Sequence, residues 1–429
     1  MTIAPQDSPL LRDLFADPEI ARLFTDTAAV RAMLIVEGTL ARVQGSAGLI
    51  PETAAAYLHR AAMEIQIDPA GLASETARNG VCVPALLAAF RKQAQAPEHT
   101  QFLHWGATSQ DIIDTGLALR LRQVLTLLGD RLDRLLTLLA DLADTHAETP
   151  MIARTYGQPA TVTTFGAVVA TWGTGLLALR DELPGVRDAV LIVTLHGAAG
   201  TLSVLGEQGP AIRADLARAL GLGDPVGVPH ADRAHILGLA GWANRVLQAC
   251  AKCATDLLLL TREGEVTLSG GGSSSTMPQK ANPVAPSVVC ALAAHGAGHA
   301  AALSMRPAWD QRDGAAWFTE WLSLPPLMAA TGKALEVLGQ MDVGYGTPTH
   351  PAGTAPSDLI HAEALTFALA RDMSRPDAQA RVKAWATEAR ATGGSLLALA
   401  GVDPADYAPE RQWGEAPLHA RRFVAAVRG

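Results

Sequence analysis

Residues 114–146 read DTGLALRLRQVLTLLGDRLDRLLTLLADLADTH. The leucines of this stretch recur at alternating steps of four and three: Leu121, Leu125, Leu128, Leu132, Leu135, Leu139 and Leu142. This spacing places an apolar stripe along one face of an α-helix and is typical of coiled-coil packing. Residues 115–146 would form a helix of about 30 residues, roughly 45 Å long at 1.5 Å per residue. A helix of this length is expected to pack along other long helices.

Four further stretches are predicted to be its partners: residues 160–183, ended by Pro184; residues 235–263; the alanine-rich stretch after Pro283; and residues 322–341. None of them has a strand-like alternation of any length. The sequence therefore predicts an all-α protein of three parts. These are an N-terminal helical domain at residues 1–105, a central bundle of long helices at residues 106–345 and a short C-terminal helical domain at residues 346–429.

The composition argues against a nucleic-acid or membrane-surface protein. An apolar share of 49% in 429 residues is enough for a large core without a metal or disulfides. The 34 basic and 42 acidic residues are spread along the chain, so no surface for nucleic acid or anionic membranes is expected. A small anionic ligand would need a local basic site. The four cysteines form no disulfide framework, which favours the cytoplasm.

Two local patterns are open to more than one interpretation. Cys250 and Cys253 form a C-x-x-C pair, but no second pair or nearby histidine completes a zinc set, so two buried thiols are favoured over a metal or redox site. Residues 160–179 carry no charge, yet five threonines and three glycines favour a buried helix over a membrane span. The start of the chain shows no signal-peptide pattern.

Residues 269–283 read SGGGSSSTMPQKANP and are the most informative for chemistry. Glycine and serine runs disfavour both helix and strand, so a mobile loop is expected, ending in an N-cap pair, Asn282-Pro283. Such a loop offers clustered amide donors, hydroxyls that can serve as a base, and a cation, Lys280, for a carboxylate. Composition alone leaves a flexible surface linker as the alternative.

Two other runs precede predicted helices. Residues 104–115 read HWGATSQDIIDT, a hydroxyl-bearing loop in which Asp114 and Thr115 are expected to cap the long helix. Residues 153–160 read ARTYGQPA. Both runs lie close in sequence to the leucine-rich helix, at its two ends.

Together these runs resemble the fumarase/aspartase superfamily. The loop is similar to its signature G-S-S-x-M-P-x-K-x-N-P, with Ser273 in place of the glycine. The resemblance implies that Ser274 is the catalytic base, with Ser273 or Ser275 taking that role if the register differs. It further implies the substrate-binding residues of the loop: Ser275, Met277, Lys280 and Asn282.

The second run is similar to the superfamily's H-x-G-x-T-S-x-D segment. Its sequence most resembles that of the carboxymuconate cycloisomerases. This likeness implies that Thr108 and Ser109 bind a carboxylate beside Trp105, and that His104 is a catalytic residue. The third run is similar to R-T-H-x-Q-x-A, but Tyr156 stands where fumarases and adenylosuccinate lyases have histidine. It implies a catalytic Tyr156 and a substrate-binding Gln158.

Weaker likenesses at residues 196–201 and 310–322 add Arg312 to the implied substrate-binding residues, and His230 joins them. Next to His230 the relatives' pattern is broken, because Ala234 and His235 replace an expected aspartate and arginine. His295 and His299 are four residues apart and could share a metal, but their Ala/Gly context favours plain helix packing.

The resemblance implies a homotetrameric, cofactor-free, metal-free cycloisomerase whose central bundle is completed by tetramerisation and whose active sites are shared between subunits. The implied reaction interconverts 3-carboxy-cis,cis-muconate and its lactone by proton transfer next to a carboxylate, through an enediolate. The expected partner is a small polycarboxylate, with no nucleic acid and no membrane. Two alternatives stay open: a C–N or C–O lyase releasing fumarate from a substituted succinate, and a lyase scaffold kept as a structural protein.

Overall fold

The computed structural model describes residues 4–269, 272–273, 277, 281–305, 312–346 and 358–429. In these residues the chain is all-α, as the sequence predicts. The α-helices are α1 (Arg12–Phe15), α2 (Pro18–Ala21), α3 (Asp26–Ser46), α4 (Glu52–Glu64), α5 (Ala73–Asn79), α6 (Val83–Ala94), α7 (Pro97–Thr100), α8 (Ser109–Thr145), α9 (Phe165–Val190), α10 (Gly209–Leu220), α11 (Ala234–Arg262), α12 (Val284–Met305), α13 (Gly314–Gly339), α14 (Ala362–Leu369), α15 (Arg375–Thr392), α16 (Leu396–Ala400), α17 (Pro409–Gln412) and α18 (Ala416–Arg428).

Short antiparallel strand pairs interrupt the helices of the described residues. They are β1 (Pro150–Thr155) with β2 (Gln158–Thr164), β3 (Val266–Leu268) with β6 (Val343–Tyr345), and β4 (Gly272–Ser273) with β5 (Ala281–Asn282). The β1–β2 hairpin was not predicted, although the β-branched residues of β2 favour a strand. The expectation that the glycine-serine run forms no strand was wrong at β4.

Helix α8 begins at Ser109 and has 37 residues, so it is longer than predicted at its N-terminal end. Asp114 and Thr115 therefore lie inside the helix, and their expected role as caps was wrong. The side chains of Asp114 and Thr115 instead bind other segments of the chain. Asp114 accepts a hydrogen bond from Trp317 Nε1 at 3.0 Å, and Thr115 Oγ1 accepts one from the backbone N–H of Thr194 at 3.0 Å.

The leucine stripe of α8 is buried within the single chain. Its first six leucines, up to Leu139, are at most 3% exposed. Up to Leu139, this stripe therefore needs no neighbouring subunit to cover it. Among the described helices, the one apolar and long enough to cross a membrane by composition is α12, with a mean hydropathy of 1.4 and 39% of that window buried. A core helix of a soluble protein passes the same test.

Two other helices differ from their predicted bounds. Helix α9 begins at Phe165, because residues 158–164 form β2, and it continues through Pro184 to Val190. Helix α13 begins at Gly314 and contains Pro325 and Pro326. Proline removes one backbone donor from a helix and kinks or ends many helices, but α9 and α13 continue through theirs. The prediction that Pro184 ends the helix was therefore wrong.

The chain forms two compact units. The first comprises residues 1–131, 179–248 and 288–336, and the second comprises residues 132–178, 249–287 and 337–429. An apolar cluster in the first unit joins α3, α4 and α6 to α10, and includes Leu40, Leu58 and Phe90. A smaller cluster in the second unit gathers Leu365, Val382 and Leu396. The three-domain division at residues 105 and 345 stays a prediction.

The thiols of the C-x-x-C pair lie in the core, as predicted. Cys250 is 0% exposed and Cys253 is 2% exposed, and both are free. Burial raises the pKa of the Cys250 thiol to about 12, so it stays protonated at neutral pH. These cysteines are therefore packing residues.

Candidate active site

The N-terminus of α8 is held in place by a buried aspartate. Asp111, which is 1% exposed, accepts the backbone N–H of Thr108 at 2.9 Å, just before the helix begins. This hydrogen bond is one of the two that make up a capping box, with the acidic residue three positions after Thr108. Thr108 and Ser109 thus lie at the positive end of a 37-residue helix, where backbone amides favour an anion.

Asp111 also fixes two other segments of the first unit. It accepts the backbone N–H groups of His196 at 2.8 Å and Gly197 at 3.0 Å, and it contacts His230 Nε2 at 2.8 Å. A carboxylate beside Nε2 holds the ring proton on that nitrogen. His230 Nδ1 is buried, and it has no hydrogen-bond partner among the described residues. Asp111 therefore orients His230 with Nδ1 left for another group.

Arg312 is brought to the same helix N-terminus. Its Nε donates to Gln110 Oε1 at 3.0 Å, and its Nη2 lies 3.4 Å from Thr108 Oγ1. A third hydrogen bond joins Nη1 to the carbonyl of Ala198. A guanidinium beside a threonine hydroxyl and a helix N-terminus is a set of donors suited to a carboxylate.

His104 forms a dyad with a residue that the sequence interpretation missed. Its Nδ1 lies 2.6 Å from Oε1 of Glu37, whose side chain is 1% exposed. Burial lowers the pKa of His104, but the charge and hydrogen bond of Glu37 outweigh burial, so the pKa lies above its ordinary value. His104 also has a φ of 66°, a strained backbone for a non-glycine residue. A strained backbone and an imidazole with a shifted pKa are both typical of functional sites.

A buried ion network lies next to this helix. Arg233 donates to both oxygens of Glu320, at 2.8 and 2.5 Å, and to Asp114 Oδ2 at 2.6 Å. Burial raises the pKa of Glu320 even though Arg233 opposes that change. Burial, followed by the charge of Arg233, lowers the pKa of the neighbouring His235 to about 4, so this imidazole stays neutral. Ala234 and His235, which depart from the relatives' pattern, thus directly follow a buried arginine, Arg233, that is paired with two carboxylates.

Trp105 is 40% exposed beside the dyad. Its carbonyl accepts a hydrogen bond from Gln44 Nε2 at 2.7 Å, and its ring lies 6.0 Å from that of Phe102. The next residue, Gly106, has a φ of 71°, and a Cβ there would lie 2.4 Å from Leu205. The glycine lets the loop turn sharply into α8.

Tyr156 and Gln158 belong to the second unit. Tyr156 and Gly157, with φ of 51° and 72°, form the two-residue turn of the β1–β2 hairpin, of the type that matches strand twist. Tyr156 is fully exposed at the tip. Gln158 pairs with Thr155 and is also exposed. The strand below is anchored by an ion pair of Arg154 with the buried Glu265.

Part of the signature loop is described. Gly272 pairs with Asn282, and Met277 is 42% exposed. Three predicted site residues lie outside the described residues: Ser274, Ser275 and Lys280. Their roles stay predictions from the sequence.

The first unit therefore gathers Thr108, Ser109, His230 and Arg312 around one helix N-terminus. The sequence interpretation missed Glu37 and gave Asp111 no role. Signals for both exist, since Glu37 is a lone carboxylate in the apolar run MLIVEGTL and Asp111 follows Thr108 at capping-box spacing.

No group of three or more histidine, cysteine, aspartate or glutamate side chains suited to a metal occurs in the described part of the chain. His295 and His299 do meet on one face of α12, with their Nε2 atoms 3.2 Å apart. Burial lowers the pKa of His299, and the charge of His295 adds to this effect. The pair remains a two-residue contact between neighbouring turns of α12.

Comparisons with known proteins cover most of the chain. A family model described as "Lyase" matches residues 16–297. The chain is 36% identical over 365 residues to the 3-carboxy-cis,cis-muconate cycloisomerase of Pseudomonas aeruginosa, covering 82% of this chain and 79% of that protein. It is 35% identical over 357 residues to nitrosuccinate lyase of Streptomyces davaonensis, covering 79% and 74%. The crystal structure of 3-carboxy-cis,cis-muconate lactonizing enzyme from Pseudomonas putida matches with a TM-score of 0.89 and 29% identity, over 98% and 99% of the two chains.

Proposed function

Since the chain belongs to the lyase family of the fumarase/aspartase superfamily, we propose that it is a cycloisomerase that interconverts 3-carboxy-cis,cis-muconate and its carboxymuconolactone. The observation that carries this proposal is the donor set at the start of α8. Thr108 and Arg312 meet there at the N-terminus of a long helix, and Asp111 fixes the backbone of Thr108. This is a site for a carboxylate, and the substrate has three.

In the proposed reaction, a carboxylate oxygen attacks the β carbon of a C=C bond, and the π electrons move onto the α carbon and its own carboxylate. The resulting enediolate places two negative charges on one carboxyl group. Preorganised donors stabilise such charge, each by about 3–4 kcal/mol in oxyanion holes. We assign this role to Thr108, Ser109 and Arg312, together with Lys280 and Asn282 of the loop.

A proton then joins the α carbon from the hydroxyl of Ser274, which regains a proton from water. Lactonisation thus takes up one proton, and the acid forms of substrate and product are isomers. In the opposite direction the serine alkoxide removes the same proton. Closure of the glycine-rich loop over the substrate would exclude water during this step.

His104 and His230 are assigned the polar wall of this site. Glu37 keeps His104 protonated over a wider pH range than a free imidazole, so His104 is suited to a substrate carboxylate or to proton transfer. Asp111 leaves Nδ1 of His230 as the unused ring nitrogen. Trp105, Ser275 and Met277 are assigned to the substrate's carbon skeleton and remaining carboxylates.

We assign Tyr156 and Gln158 to the active site of another subunit in a homotetramer. Both residues are exposed at a hairpin tip. This supports the assignment, because a catalytic side chain is normally enclosed by other protein groups. The low burial of the apolar helix α12 also supports an assembly. The net charge of -8 and the spread of basic residues along the sequence, with no basic runs, support a cytoplasmic enzyme without nucleic-acid or membrane partners.

The proposal is tested by following the diene absorbance of 3-carboxy-cis,cis-muconate with purified protein and no added metal. Wild type is expected to remove the absorbance, and Ser274→Ala is expected to be slower by about 10²–10⁴-fold. Ser273→Ala and Ser275→Ala are the matched controls for the loop register. If wild type leaves the diene unchanged, the substrate assignment is wrong.

The second candidate is a C–N lyase acting on a substituted succinate, favoured by the 35% identity to nitrosuccinate lyase. The same donors would stabilise the enediolate formed when Ser274 removes a proton, and the C–N bond would then break to leave fumarate. With nitrosuccinate the products would be fumarate and nitrite. Formation of both, without lactone chemistry on the muconate, would replace the cycloisomerase proposal.

A further inference from the structure

A second basic site lies in the first unit, apart from the residues assigned to the reaction. It is a cavity of about 740 Å³ formed by α3, α4, α8 and the end of α10. We name it the arginine cavity after five of its lining residues: Arg22, Arg31, Arg42, Arg120 and Arg122. His59 also lines it. Its volume lies within the range of small-molecule sites, about 300–1,000 Å³.

One face of α3 forms a wall of this cavity. Arg31, Ile35, Thr39 and Arg42 all line it and recur at steps of four, four and three. Arg31 and Arg42 are therefore about 16 Å apart along the helix axis.

The positive charge of the cavity has no carboxylate beside it in the cavity lining that the structure describes. None of its lining residues in the described part of the chain is aspartate or glutamate. Main-chain carbonyls orient three of the guanidinium groups: Ala62 holds Arg31 at 2.8 Å, Leu220 holds Arg122 at 2.9 Å, and Leu23 holds Arg120 at 3.3 Å. A carbonyl positions a guanidinium but brings no formal charge. Five arginines thus converge in a chain whose net charge is -8.

Arg120 is the most constrained of these groups. Its Nε is buried, and it has no hydrogen-bond acceptor among the described residues. Burial lowers the pKa of Arg120 to about 10, and the charge of Asp26 opposes that change. Arg120 and Asp26 both line a neighbouring, more apolar cavity of about 590 Å³, and Asp26 does not line the arginine cavity. A guanidinium that is desolvated and lacks a full set of acceptors is costly unless a ligand supplies the missing charge.

We propose that the arginine cavity binds a small polyanion bearing several carboxylate or phosphate groups. The convergent arginines supply the charge-assisted hydrogen bonds, and Ile35, Leu119 and Leu220 supply an apolar floor. Binding relieves the repulsion among the arginines, so it stabilises the folded chain. This site is independent of the proposed reaction, because none of its residues is assigned to that chemistry.

The test is isothermal titration calorimetry of the full chain, with citrate as the carboxylate probe and tripolyphosphate as the phosphate probe. Saturable binding of at least one probe is expected, with a rise in Tm at millimolar concentrations. Preference for citrate or for tripolyphosphate identifies the source of the charge. Arg120→Gln and Arg42→Gln are each expected to weaken binding about tenfold or more.

Arg60→Gln is the matched control, since Arg60 is exposed on α4 and does not line the cavity. It should bind like wild type. Arg42 is also exposed, so Arg42→Gln tests the site even if Arg120→Gln does not fold. Without ligand, Arg42→Gln should raise Tm, whereas a merely structural arginine would lower it. The proposal is overturned by no saturable binding of either probe, by an equal loss in Arg60→Gln, or by a change of oligomeric mass in Arg42→Gln, which would make the cavity a contact between copies.

Discussion

The start of α8 and the tip of the β1–β2 hairpin both contribute residues to the proposed active site, but the residues are buried in the first region and exposed in the second. Around Asp111, buried donors and acceptors are fixed by several hydrogen bonds from within one unit. At the hairpin tip, Tyr156 is fully exposed on a two-residue turn. Contacts within one chain fix the side chains of the first region. The side chains of the second region are proposed to be enclosed by another subunit. Substitutions should therefore affect stability in the first region and activity alone in the second.

The largest effect is expected for Arg233→Met. Removing this guanidinium leaves Glu320 and Asp114 buried without a counter-charge, which should reduce the free energy of unfolding by about 3–5 kcal/mol. Chemical denaturation measures it. The control is Arg245→Met, whose ion pair with Glu182 is exposed and should contribute little. Equal losses of unfolding free energy in the two variants would show that the buried ion network contributes no more than an exposed ion pair.

Asp111→Asn should come next. Asparagine keeps the shape but loses the charge and one of the two acceptor oxygens that serve three backbone amides and His230. We expect a loss of about 1–3 kcal/mol in unfolding free energy and a fall in kcat of about 10²-fold. A variant with wild-type kcat and lower stability would make Asp111 a structural residue only.

Glu37→Gln should change pH dependence more than stability. Glu37 raises the pKa of His104, so the stability it adds is fully present below about pH 6.5, the ordinary histidine value, and is lost as pH rises through the raised pKa. Wild type should therefore exceed Glu37→Gln in Tm at about pH 5, and the gap should shrink toward about pH 9. NMR titration of His104 should give a lower pKa in the variant. An unchanged pKa would contradict the dyad.

The smallest effect on stability is expected for Tyr156→Phe. The ring is fully exposed, so Tm should not change measurably, whereas kcat should fall because the hydroxyl is lost from the assembled site. Mixing Tyr156→Phe with Asp111→Asn, unfolded and refolded together, should restore part of the activity if the two regions come from different subunits. A mixture no more active than its components would place both in one chain.

How much of this could be predicted from the sequence depends on how local each signal is. The leucine spacing of α8 and the signature loop are local patterns, and the all-α fold and the family were both predicted from them and confirmed. Glu37 lies 67 residues before His104, so their pairing depends on the packing of α3, which no local pattern encodes. The β1–β2 hairpin was missed because the uncharged run of residues 160–179 favoured one continuous helix.

The burial of the α8 stripe teaches a related lesson. An apolar stripe predicts a partner surface but does not say whether that surface belongs to the same chain. Here the leucines up to Leu139 are buried within one chain, while α12 has the lower burial. Likewise, Asp114 has the residue type of a cap but sits in the second turn of α8, where Arg233 and Trp317 use it.

The central claim is proton transfer to the carbon next to a carboxylate during lactonisation. It is tested most directly by NMR of the product formed from 3-carboxy-cis,cis-muconate in deuterium oxide by the wild-type protein. The account predicts a lactone carrying one deuteron at the α carbon, formed about 10²-fold or more slowly by Ser274→Ala. A lactone without deuterium at that carbon, or the same product and rate from Ser274→Ala, would contradict it.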